Sequence, residues 1–454
     1  MRLLRWSWFG TLLVSGLLML SACGSAGPTK KEAPTAPPTA IPIAAAMPFE
    51  TPVTAPIRET LPSAKVEAFG WRGDGTGVFP NAHPPTEWDD TRNILWKADV
   101  GKSHASPAIG KGCVFVTAEP ADLVCVDTAN GHVRWKTTFD AAHVPAEFAP
   151  QLKEASEAST SCGYATPTPV CDGERVFAVF GFGIVACYSV SGDRKWIQFL
   201  KPDAVQYGHS GSPALVDGKL IVNFGRRIAL NFETGKVLWE CPEAEPTYGT
   251  DVVVTLGATR VLVTSVGTVI RVNDGHVLAK AIAPELGGSE YGISPTAAGD
   301  VVYLGDREFS AVKLALDGNE LRVQKLWTAD MDMQSFASPV VANGLVFFVG
   351  IRAEIVVLDQ KTGEKVFENT LSIGHPGMND PVLSSANLYP SLSVADNHVF
   401  VGNDYGQTFV YEATRMFKEL AQNRVTEGSG ATPVPFESRM YLRSGEALYC
   451  IEKK

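Results

Sequence analysis

Between residues 93 and 454 the apolar positions fall in short alternating runs of four to six residues, broken by Gly, Asn, Asp and Pro. That period and that punctuation predict β-strands joined by tight turns, with little helix. The runs also recur as a unit. Each unit opens with Ser-Pro, Thr-Pro or a relative, as in "ASPAIGKGCVFVTA" (105–118), "GSPALVDGKLIVNF" (211–224) and "ASPVVANGLVFFVG" (337–350). Each continues into a hairpin whose turn Gly is followed four residues later by an aromatic, as in "CVDTANGHVRW" (125–135) and "ALNFETGKVLW" (229–239). Eight such starts, roughly 40–60 residues apart, match the period of a propeller blade.

Each unit reads as four strands: one after the Ser-Pro, one at the "VFV"-type run, and the two hairpin arms. The aromatic falls on the outermost strand, where it can wedge between its own blade and the next. Trp135, Trp196, Trp239 and Phe367 keep the spacing, and Trp327 follows a longer hairpin beginning at Asp317-Gly318. Ala279 takes the aromatic's place in one unit, which predicts a weaker contact there. The last unit stops at "ALYCIEKK" (447–454) with three strands, and "NILWKADV" (93–100) supplies an orphan fourth carrying Trp96. The expected fold is therefore all-β, an eight-bladed propeller of four-stranded antiparallel blades closed by residues 93–100. Seven blades with a separate hairpin is the alternative.

Ahead of the ring the chain changes character. Residues 1–23 carry Arg2 and Arg5, then the apolar "WSWFGTLLVSGLLML" (6–20), then "LSAC" ending at Cys23. This resembles a bacterial lipoprotein signal with lipidation at Cys23, and the absence of Asp after that Cys implies an outer-membrane anchor facing the periplasm. Residues 24–65 are rich in Pro, Ala and Thr and are expected to form a disordered tether of roughly 35–130 Å. Residues 66–92 read as an N-terminal segment packing on the ring. Loss of the leader removes two of 39 basic residues against 49 acidic ones. That acidic balance argues against nucleic acid and against a face lying on anionic lipid, leaving the anchor as the membrane contact.

The hairpins "VDTANGHVRW" and its copies resemble the tryptophan-docking motif of quinoprotein-type propellers. With the opening "WRGDGTGVFPNAHPPTEWDDTRNILWKADV" and the closing "YLRSGEALYCIEKK", residues 70–454 resemble the propeller lipoproteins grouped with the B lipoprotein of the outer-membrane β-barrel assembly machinery. The resemblance implies a scaffold for envelope proteins or peptides, a monomer within a complex. It also raises a pyrroloquinoline quinone (PQQ)-dependent dehydrogenase with Ca²⁺, and a small-ligand or sensing propeller, as alternatives. Such dehydrogenases press PQQ between a Trp and a disulfide of adjacent cysteines, and this chain has no adjacent Cys. Neither PQQ nor Ca²⁺ is expected, nor any catalytic or metal-ligating set.

The candidate binding residues stand just before the first strands: His104, Tyr164, His209, Tyr248, Tyr291, Phe336 and Tyr389. Beside them runs a small hydroxyl, read at Ser106, Thr166, Ser212, Ser294, Ser338 and Thr432. First strands line a propeller's axis, so both sets should circle one rim, suited to extended peptides or small ligands. Two insertions, 140–160 (helical from Ala146 to Ala155) and 369–389 with His375 and Asp380, add candidate surface. "ATRMFKELAQN" (413–423) reads as a short helix-like piece replacing one Gly hairpin and is expected to be part of the blade architecture. Cys125, Cys187 and Cys450 occupy matching strand positions and read as buried small hydrophobes.

Overall fold

The computed structural model describes residues 70–454, apart from 143, 158–160, 284–291, 372–387 and 427. Cys23, the tether, Tyr291, His375 and Asp380 lie outside the described residues. Eight antiparallel four-stranded sheets form the ring. Blade 1 comprises Ala108–Gly110, Cys113–Ala118, Asp122–Asp127 and Val133–Thr138. Blades 2 to 7 span 170–199, 214–241, 252–279, 296–330, 340–370 and 393–424. First strands of neighbouring blades touch one another, so they are the inner strands around the axis.

Blade 8 joins the two ends of the ring. Its strands Val434–Phe436, Arg439–Ser444 and Ala447–Glu452 take Ile94–Asp99 as the outer fourth, with Trp96 opposite Cys450 and Asp99 opposite Ala447. Closure by the front of the ring removes the open edges that a linear array of sheets would expose.

The Gly-to-aromatic spacing has a double cause. The hairpin Gly adopts a left-handed backbone, φ +76° at Gly131, which costs a side chain its Cβ clearance. The same Gly receives the indole of the preceding blade: a Cβ on Gly131 would lie 2.8 Å from the Trp96 ring. Trp135 meets Gly192, Trp196 meets Gly235, Trp239 meets Gly275, and Trp327 meets Gly363 in the same way. Each indole also donates its N–H to a carbonyl of that next hairpin, at 2.8–3.0 Å. The ring thus buries a large apolar surface without stranding a polar N–H.

Two exceptions are filled differently. Ala279 has no ring to offer, and Gly318, at the tip of the next blade's long hairpin, meets none. Blade 5 compensates with its long hairpin, Glu308–Asp317 and Glu320–Asp330, whose Leu314, Leu316 and Leu321 pack in one cluster with Leu278 and Ala279. At blade 7 the expected helix-like 413–423 is instead a turn followed by the outer strand Glu419–Arg424. Tyr411 stacks on Phe417 at 4.3 Å, and Phe367 of blade 6 packs against that same Phe417 at 5.7 Å. Strand pairing and this aromatic plug override the local helical pattern.

Residues 70–92 do more than pack on the ring. Gly70 lies against Pro169 and Val170 of blade 2, and Arg72 donates from Nη2 to Pro339 O of blade 6 at 2.5 Å. Val78–Phe79 then pairs in parallel with the inner strand Ser393–Ala395 of blade 7. Blades 2 and 6 stand opposite each other, so this segment crosses and fills the axis. It leaves by His83, whose N–H reaches Glu437 O, and by Trp88, fully buried with its backbone N–H on Asn423 Oδ1.

The insertion after blade 1 carries a 3₁₀ turn, Ala146–Phe148, and an α-helix, Ala149–Glu157. Seven cysteines stand among the described residues, all as free thiols, with Cys125, Cys187 and Cys450 wholly buried. Among the described residues no helix is long and apolar enough to cross a membrane.

Candidate functional site

Antiparallel order sends every blade's loops alternately to two faces. The approach to each first strand and the turn between second and third strands share one face, the rim face. The docking hairpins occupy the other. On the rim face, first-strand entries are tied by a belt of hydroxyls. The N–H of Ser106 donates to Thr168 Oγ1, Thr168 to Ser212, Ser212 to Thr250, Thr250 to Ser294, Ser294 to Ser338, Ser338 to Ser391, and Thr432 to Ser106, each at 2.8–3.0 Å. Except in blade 7, where Val78–Phe79 pairs with it, an inner strand has no strand partner on its axial side, and the N–H at its entry would otherwise be buried unpaired.

The belt amends the sequence reading in one respect. Thr168, not Thr166, is the blade 2 member, while Thr166 Oγ1 donates locally to Cys162 O. Thr250 and Ser391 belong as well; both lack the following Pro that marks the other members.

The aromatic positions divide by environment. His209 is buried, its Nε2–H donating to Asp203 O at 2.9 Å and its ring edge-on to Phe224. His104 accepts the Gly430 N–H on Nδ1 at 3.0 Å. Burial pushes the pKa of the His209 imidazole down, and that of His104, although its ring is exposed at the rim, is also lowered by desolvation and by the nearby Arg443 cation. Both rings are thus neutral at neutral pH. Tyr164, Tyr248 and Phe336 are half-buried and Tyr389 is exposed. They form pairs that sequence alone does not reveal: Tyr164 with Phe182 at 5.4 Å, Tyr248 with Tyr207 at 5.5 Å, and Phe336 with Tyr389 at 5.9 Å. Phe182 and Tyr207 follow no fixed place in the repeat, so spacing could not flag them.

Two cavities meet at Tyr164 on this face. One of about 660 Å³ lies where blades 8, 1 and 2 meet, lined by Lys102, His104, Glu119, Cys162, Tyr164 and Ser429 among others. The other, about 410 Å³, is lined by Tyr164, Phe182, Pro202, His209 and the helix residues Gln151 and Glu154. Gly163 and Tyr164 line both, so the two make one groove passing Tyr164. Glu119 fixes that divide by accepting the N–H groups of Tyr164 and Ala165 at 3.1 and 2.8 Å.

The axis offers a different chemistry. Arg72 is completely buried there, held by Thr76 O and Pro339 O, with Nε and Nη1 unpartnered. Desolvation lowers its pKa to about 9. Gly77 gives it room, since a Cβ there would fall 2.6 Å from Arg72 Nε. Among the described residues no three His, Cys, Asp or Glu side chains converge as a metal site would require.

Fold and repeat together define a propeller of the PQQ-like class. The family model described as outer membrane protein assembly factor BamB matches residues 87–317 and 323–410, well over half the chain, and the protein belongs to that family. No curated protein matches it in sequence. Among solved structures, Sqt1 of Saccharomyces cerevisiae shares the fold with a TM-score of 0.51 at 11% identity, covering 82% of this chain and 99% of that one. BamB from Moraxella catarrhalis aligns with a TM-score of 0.39 at 13% identity, covering 81% and 85%. The quinohemoprotein alcohol dehydrogenase of Comamonas testosteroni aligns at 0.44 and 12%, covering 84% and 80%.

Proposed function

We propose that this protein is a lipid-anchored, extracytoplasmic, non-catalytic propeller that binds protein or peptide partners on its rim face, in the service of outer-membrane protein assembly. Cys23 carries the lipid, the anchor lies in the outer membrane, and the ring works in the periplasm as a monomer within a complex. The family description supports the assembly role. The observation that carries the rest is the filled axis. A PQQ enzyme needs an open axial funnel and oxygen ligands for Ca²⁺. Here residues 70–79 occupy the axis, and they bring a buried guanidinium, not a carboxylate cluster. On the rim face the groove past Tyr164 carries the Tyr164–Phe182 pair, an aromatic contact of the kind that anchors partners.

The reading is tested with the double variant Tyr164→Ala, Tyr248→Ala. Partner capture from the native envelope should fall while the Tm holds. Equal loss of both would make these side chains packing residues. A bound chromophore and dye reduction with alcohols or sugars, after adding PQQ and Ca²⁺ to the purified protein, would favour the dehydrogenase.

A further inference from the structure

Three carboxylates line the groove past Tyr164, and they differ in their partners. Asp203 is paired with Arg226 at 3.0 Å and Glu154 with Lys201 at 3.9 Å. Among the described residues no Lys, Arg or His side chain pairs with the third, Glu119. Lys102, on the same cavity wall, is turned to Glu446 at 3.6 Å. The Glu119 carboxylate is nonetheless fixed in place. Its Oε2 accepts the Tyr164 N–H at 3.1 Å and its Oε1 the Ala165 N–H at 2.8 Å. Gly163 makes room for it, since a Cβ there would collide with Oε1. Each oxygen keeps a further acceptor site, because a carboxylate offers about four lone-pair directions. Its charge is felt next door: burial first, and Glu119 second, push the pKa of the Tyr164 hydroxyl up.

A half-buried carboxylate held by backbone N–H groups, with no counter-ion, is preorganised to receive a cation. We propose that Glu119 and the Tyr164 ring form a receptor for a basic side chain, lysine or arginine, on an extended segment of a protein partner. The inference rests on the rim-face reading above and names the chemistry of the partner. The carboxylate takes the charge-assisted hydrogen bond, and the neighbouring aromatic ring covers the stem or head of the cation. The other ionisable groups on the wall do not oppose this. His104 and Cys162 are uncharged, and Glu446 neutralises Lys102. Arg443 is buried outside the lining, with Nη2 on Gly101 O. The groove runs on past the Tyr164–Phe182 pair into the second cavity, so residues flanking the cation meet apolar surface there. Long-range charge acts in the same direction, since a net charge of -10 draws basic segments toward the chain.

The test uses the full chain in detergent and a fluorescein-labelled heptapeptide of alternating threonine and valine with lysine at its centre. Copies with norleucine or glutamate at the centre are the controls. The wild type should bind the lysine peptide roughly tenfold or more tightly than the norleucine one, with the glutamate peptide weakest. Glu119→Gln should erase that preference. Lys102→Gln should move affinity the other way, strengthening lysine binding a few-fold by removing a like charge from the wall. A readout on the wild type needs no variant. A water-soluble carbodiimide condenses a carboxylate with an amine, taking up the lost water as its urea. It should link the peptide's lysine to Glu119 ahead of Glu154 and Asp203, as read by peptide mapping. Where Glu119→Gln does not fold, that map decides alone. Equal binding of the lysine and norleucine peptides, a lysine preference that survives Glu119→Gln, or coupling confined to other carboxylates overturns the proposal. Persistence of Tyr164- and Tyr248-dependent partner capture in Glu119→Gln, with the lysine peptide ignored by the wild type, would sink this inference and leave the rim-face reading standing.

Discussion

The indole of Trp96 lies on the backbone of Gly131, one blade onward, and donates Nε1–H to Thr128 O at 2.8 Å. Trp96 belongs to the strand that completes blade 8, and Gly131 to the docking hairpin of blade 1. This one contact therefore joins the first and last parts of the ring. Trp96→Ala should cost about 3–5 kcal/mol, by loss of burial and by the cavity left behind. Gly131→Val should cost a comparable amount, since it needs both a left-handed branched residue and space the indole holds. Urea unfolding of each variant measures both.

The hydroxyl belt makes a quieter prediction. Ser338→Ala leaves the buried Ser294 N–H without its acceptor, at about 1–3 kcal/mol. Ser338→Thr restores the oxygen and should recover most of that loss. Thermal melts of the pair distinguish a hydrogen-bonding role from a packing one.

Leu314, wholly buried in the long hairpin of blade 5, stands in for the aromatic that Ala279 does not provide. Leu314→Ala is expected to cost about 2–5 kcal/mol. Native-state hydrogen exchange should show the protection lost in blades 4 and 5 together.

Stability should fall as the pH drops from 7 toward 5. His104 and His209 have folded pKa values below the imidazole's usual value near 6.5. Their contribution is present above about pH 6.5 and disappears as pH falls through the folded pKa, because the unfolded chain takes up the protons first. Protonation of His104 Nδ1 also cancels its acceptance of the Gly430 N–H. His104→Asn, which keeps an acceptor but does not titrate, should flatten the Tm-versus-pH curve over that range.

Local repetition made the ring legible before the structure. The Ser-Pro starts, the hairpin glycines and the aromatics four residues later encode strands, turns and blade contacts within a few residues of each other. The closing strand was equally readable, since a Trp96 strand without its unit and a final unit without its fourth strand can satisfy each other. What could not be read depends on long-range placement. The Gly-rich run 72–77 resembles any surface turn, yet it fills the axis because Arg72 finds Pro339 O, 267 positions away. The aromatic pairs on the rim join loops of different length. Residues 413–423 do belong to the blade, but their helical pattern misled because local propensity yields to strand pairing with Gln407–Glu412.

The account turns on which face meets partners. Photo-crosslinking amino acids placed singly at Tyr164, Tyr248 and Tyr389 on the rim, and at Glu174, Gly257 and Glu437 on the docking-hairpin side, report this in the living envelope. Polypeptide adducts from the rim positions, with few from the other three, are the expected result. Adducts chiefly from Glu174, Gly257 and Glu437, or none from the rim, would contradict it.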